Sequence, residues 1–88
     1  DHDRVRTLGA KVDLPKITYG FHDEAELTVR DLQLDGLRCR GEVFYRGNSL
    51  GILNLNVPGR HNVSNALASI AVGLTLGLPS ATILAALA

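Results

Sequence analysis

The residues best suited to chemistry in this chain stand together just after a forced turn. Pro58-Gly59 is followed by Arg60, His61 and Asn62, with Asn65 three residues further on. An asparagine amide carries a donor and an acceptor side by side, so two of them can match the edge of a heterocyclic base. His61 could stack on a ring or meet a phosphate, because helix N-termini favour anions. The plain alternative is that Asn62 caps a helix, His61 is an ordinary surface residue, and Asn65 and Ser69 face water. Asp1-His2-Asp3 and His22-Asp23 resemble metal ligands in type, but their spacing matches no metal motif. The chain has no glycine-rich phosphate loop ending in Lys-Ser or Lys-Thr, no carboxylate cluster for Mg²⁺ outside its turns, and no Ser/His/Asp or Cys/His arrangement. Alone, it lacks the parts of a complete phosphoryl-transfer enzyme.

A helix over residues 60–76 must position these side chains. Successive residues turn by about 100°, which puts Val63, Leu67, Ile70 and Leu74 in one narrow arc, the core face. Asn62, Asn65, Ser69 and Gly73 fall in another arc, roughly opposite. Small residues there would let a ring or a neighbouring segment come close. Gly77 suits the position after the helix, Pro79 stops any continuation, and Ser80 caps a second helix over 81–88.

Upstream the period changes to two. Residues 16–21 form a short strand ending at His22-Asp23. Leu27 and Val29, then Leu32 and Leu34, are apolar, with a phase slip near Asp31 that predicts a bulge. Asp35-Gly36 is a two-residue hairpin signal. Leu37, Cys39, Gly41, Val43 and Tyr45 then alternate with Arg38, Arg40, Glu42 and Arg46. Residues 46–49 make a second turn and residues 50–57 a third strand. The expectation is an α/β fold (α+β when taken alone), in which a short strand and a three-stranded antiparallel meander over 17–57 pack with two helices over 60–88. A short helical turn over residues 3–8 is also expected.

Composition limits the partners. Nine basic and nine acidic residues balance to zero net charge without a basic stripe, which argues against nucleic acid. The single cysteine, Cys39, excludes an internal disulfide and a cysteine-based zinc site; it fits a reducing, cytosolic setting and a small buried hydrophobe. No apolar run approaches the ~20 residues needed to cross a bilayer. At 88 residues there is room for one small domain. An opening without Met and a close in mid-pattern at Ala88 read as an excised piece, with self-association expected of it when alone.

Val57-Pro58-Gly59-Arg60-His61-Asn62-Val63-Ser64-Asn65 resembles the Gly-x-His-Asn-x-x-Asn motif of the Mur ligases. Residues 17–21 and Leu76-Gly77-Leu78-Pro79 resemble the flanking parts of their central domain, co-linear over most of the chain. The resemblance implies an ATP-dependent ligase of peptidoglycan synthesis, working through an acyl phosphate with Mg²⁺. Its ligands would be ATP and UDP-N-acetylmuramate, with L-alanine as the added amino acid. It implies that Asn62 and Asn65 contact adenine, with His61 lining the same pocket, and that the phosphate loop, magnesium ligands and catalytic lysine lie outside this chain. A murein tripeptide ligase, a folylpolyglutamate synthetase-like enzyme and a non-enzymatic meander-and-helix binding module remain as alternatives.

Overall fold

The computed structural model describes Arg6–Thr7 and residues 17–88. In chain order the elements are β1 (Arg6–Thr7), β2 (Thr18–Tyr19), β3 (Leu27–Leu34), β4 (Cys39–Tyr45), β5 (Asn48–Leu55), α1 (Arg60–Thr75) and α2 (Ser80–Leu87). They form one five-stranded sheet in the order β1-β2-β3-β4-β5, with two helices. The expected meander is β3-β4-β5, antiparallel throughout. The strand before it runs parallel to β3, through Tyr19 opposite Leu27. Of the helical turn expected over residues 3–8, Arg6–Thr7 is instead a strand, paired antiparallel with β2. The rest of that stretch lies outside the described residues, as do Asp1, His2 and Asp3.

The phase slip in β3 is a bulge. The β3–β4 register shifts between Arg30 and Gln33, and Asp31 takes a positive φ of 55°. The Asp35-Gly36 expectation needs correcting. Leu34 pairs with Cys39, so the loop contains four residues, and neither Asp35 nor Gly36 has a positive φ. Asp35 Oδ1 accepts hydrogen bonds from the Leu37 and Arg38 amides at 2.8 and 2.7 Å, an Asx-type closure that replaces the tighter turn. These amides hold the Asp35 carboxyl below its usual range. Leu37 therefore leaves the apolar row and projects into solvent, 74% exposed. The two-residue turn with both φ positive falls at Arg46-Gly47, at 50° and 83°. A second bulge, at the β4–β5 shift beside Gly51, escaped the sequence pattern.

Among the described residues the core is a single cluster. Leu27, Val29, Val43 and Leu53 from the sheet meet Val63, Leu67, Ile70 and Ala71 of α1 and Ile83 of α2. Burying each larger aliphatic side chain contributes roughly 1.5–3 kcal/mol. In a domain this small, those few residues decide whether it folds. The inner face of α1 bears out Val63, Leu67 and Ile70, and leaves Leu74 half-buried. Gly73, expected on the outer face, is buried: a Cβ there would lie 2.7 Å from Ile83 Cδ1, so its lack of a side chain seats α2. Ser80 is the first helical residue of α2 rather than its cap; Pro79 occupies the cap position.

A carboxylate latch ties the strand edges together. Thr18 N donates to Glu26 Oε1 at 3.2 Å, and Glu26 N donates back to Thr18 Oγ1 at 2.9 Å. Arg46 Nη2 lies 2.8 Å from Glu26 Oε2 and its Nε donates to the same oxygen at 2.9 Å. The Thr18 backbone hydrogen bond first, and then Arg46, hold the Glu26 carboxyl below its ordinary value.

Candidate functional site

The turn before α1 depends on a backbone that only glycine adopts readily. Gly59 is the N-cap residue, with φ 99° and ψ 140°, and the Asn62 and Val63 amides donate to its carbonyl at 3.1 and 3.4 Å. Among the described residues no side chain caps the helix, and its first turn carries no acid. Asn62 is therefore not a cap. Its Nδ2 donates to the Pro58 carbonyl at 2.7 Å and pins the turn instead. No acid within the first turn itself offsets the positive end of the helix dipole, where His61 and Asn62 stand.

Two contacts from other elements hold the same turn. The buried Cys39 thiol, at the start of β4, donates to the Val57 carbonyl at 3.3 Å and lies 3.6 Å from that of Gly59. The Arg60 guanidinium lies 4.2 Å from the centroid of the Phe21 ring. Neither contact was legible in the sequence, because each joins residues far apart in the chain.

His61 and Asn65 are exposed and Asn62 is half-buried. At about 100° per residue the three fall within an arc of about 100° on the outer side of α1, continued by exposed Ser69. Asn65 makes no hydrogen bond among the described residues, so its whole amide edge is open. With Nδ2 directed at the Pro58 carbonyl, Asn62 keeps its Oδ1 and one amide hydrogen. Two amide edges about 60° apart on one helical turn can therefore meet one planar heterocycle. For a metal, the described residues hold no group of three or more His, Cys, Asp or Glu side chains. His22 and Asp23 stand exposed in the β2–β3 loop.

A recess of about 350 Å³ lies at the end of the meander where β3 turns into β4 and β5 runs out toward the motif turn. It is lined by residues that include Asp35, Arg38, Cys39, Arg40 and Asn56. None of His61, Asn62 and Asn65 lines it, and the sequence reading did not anticipate it.

The meander packed with two helices is a fold shared with solved ligases. The chain matches the family model of the Mur ligase middle domain over residues 1–73, and it belongs to the Mur ligase family. Among its relatives, UDP-N-acetylmuramate–L-alanine ligase of Pelotomaculum thermopropionicum is 48% identical across 99% of this chain. The same-named protein of Chlorobium phaeobacteroides is 40% identical across 100% of it. The crystal structure of UDP-N-acetylmuramate-alanine ligase MurC from Thermotoga maritima superposes with a TM-score of 0.71 at 35% identity, over 81% of this chain and 16% of that one. MurF from Acinetobacter baumannii shares the fold, with a TM-score of 0.72 at 24% identity, over 81% of this chain and 15% of that one. The chain spans about one fifth (19%) of the length of the two curated relatives.

Proposed function

We propose that this chain forms the adenine-side wall of the ATP site in a UDP-N-acetylmuramate–L-alanine ligase of peptidoglycan synthesis. The observation that carries the proposal is the outer side of α1. There Asn65 offers an open amide, Asn62 keeps an acceptor and a donor hydrogen, and His61 stands beside them. Similarity across nearly the whole chain to proteins named for L-alanine supports this ligase over a tripeptide or folylpolyglutamate enzyme. It also argues against a binding module without chemistry.

The described residues are suited to binding and orientation. Two amides matched to the donor and acceptor edge of adenine would fix the base, and a fixed base fixes the direction in which the triphosphate leaves it. When bound, ATP supplies the phosphoryl group that activates the precursor carboxylate. Mg²⁺ would be held by residues elsewhere in the ligase. A cytoplasmic location and a contribution to cell shape and division belong to the same proposal. So does self-association of the 88-residue chain alone, since Leu37, Leu76 and Leu78 stand exposed; sedimentation checks it.

The direct test is phosphate release by the full-length ligase carrying this chain, with ATP, Mg²⁺ and UDP-N-acetylmuramate. Release that depends on L-alanine and not on murein tripeptide is expected. Release that depends on tripeptide would move the chain to the recycling ligase.

A further inference from the structure

The start of α1 is pinned by one bond from its own residues, Asn62 Nδ2 to the Pro58 carbonyl, and otherwise depends on other elements. Its N-cap is a glycine without a side chain, and its first turn has no acid. Helix starts of this kind fray and shift unless another element fixes them. The β2–β3 loop is well placed to do so. Gly20 N donates to the Leu27 carbonyl at 3.1 Å and Ala25 N to the His22 carbonyl at 3.0 Å. The Glu26 latch closes the loop's far end onto Thr18 and Arg46. Phe21, half-buried against the core cluster, is thus a held platform. Arg60, the first residue of α1, lies over its ring at 4.2 Å.

We propose that Phe21 is a positioning residue of the adenine wall: its ring holds Arg60, and through Arg60 it keeps the first turn of α1 wound so that His61 and Asn62 are presented beside Asn65. The inference rests on the adenine reading above. Its physical basis is the order of that first turn. Val63, Leu67 and Ile70 fix the phase of α1 from the core, but the residues before them have no such hold. Were the turn to fray, His61 and Asn62 would leave the arc they share with Asn65, and a base would meet one amide instead of two. An aromatic face attracts a guanidinium whatever the ring's hydroxylation, so Tyr should replace Phe21 and Leu should not.

The experiment uses the full-length ligase and equilibrium binding of a non-hydrolysable ATP analogue, measured by calorimetry. The variants are F21L, F21Y, R60M, F21L/R60M and N65A, with thermal unfolding recorded for each. F21L is expected to weaken binding about two- to fivefold, the range of an exposed cation–π contact, and F21Y to bind like wild type. Adding F21L to R60M should weaken binding little beyond R60M alone, because the two share one contact. KM for ATP should rise with dissociation while kcat stays within about twofold. F21L binding like wild type, or F21L and R60M effects that multiply in full, would overturn the proposal. If F21L does not fold, F21Y and R60M decide it: weakened binding by F21Y, or unchanged binding by R60M, also overturns it. N65A binding as tightly as wild type would instead refute the adenine reading, so the two failures are distinct.

Discussion

Replacing Gly59 by alanine tests how far the motif turn depends on its backbone. Gly59 has φ 99° and ψ 140°, a region that residues with a Cβ avoid. An added Cβ would meet nothing within 4 Å. Its cost is therefore purely conformational, about 1–3 kcal/mol for a side chain held in a sparsely populated region. Gly36 supplies the control. It too has nothing within 4 Å of an added Cβ, but its φ is not positive. There alanine should be neutral or stabilising, by up to about 1 kcal/mol, because it restricts the unfolded chain. The same chemical change at two open positions thus separates backbone strain from packing. Urea unfolding of the 88-residue chain should place G59A about 1–3 kcal/mol or more below G36A, with m-values unchanged. The two variants lying within about 0.5 kcal/mol of each other would refute the reasoning, because the turn would then tolerate a side chain at no cost.

Two further perturbations probe the scaffold. At Gly41 a Cβ would lie 2.5 Å from Val29 Cγ2, so G41A should cost about 1–3 kcal/mol by overpacking. V29A/G41A should then be less destabilised than the sum of the single changes; strict additivity in urea unfolding would contradict the contact. The lowered Glu26 pKa gives a signed pH dependence. Its contribution is fully present above the ordinary glutamate value of 4.5 and is lost as pH falls through the lower folded value. E26Q should flatten the acid limb of a stability–pH curve and leave its neutral plateau lower. An acid limb as steep as wild type would mean the latch does not titrate with folding.

Much of this arrangement could be read from the residues, and the failures have physical causes. The slip of the apolar row at Asp31 foretold the bulge, because side chains alternate across a strand and an extra residue reverses their faces. Pro58-Gly59 and Gly77 marked the ends of α1 closely, since glycine and proline act through local backbone geometry. The Asp35-Gly36 turn failed because the Asp35 carboxylate closes a wider loop on two amides. Gly73 failed because a helical wheel cannot show that α2 folds back over it. The parallel pairing of β2 with β3, the Cys39 thiol on the turn and the Phe21–Arg60 stack join residues distant in sequence, and no local pattern encodes them. Asn62, Asn65 and Ser69 were visible as one face, with His61 joined to them only by the resemblance, while the Asn62 bond to Pro58 was not visible: a cap was the nearer explanation for an asparagine at a helix start.

The most direct measurement of the central claim is equilibrium binding of a non-hydrolysable ATP analogue to the full-length ligase with Asn65 replaced by alanine. Losing one or two hydrogen bonds to the base, at about 0.5–1.5 kcal/mol each, should raise the dissociation constant between about twofold and a hundredfold. An unchanged dissociation constant for the ATP analogue would mean that this face of α1 does not read adenine.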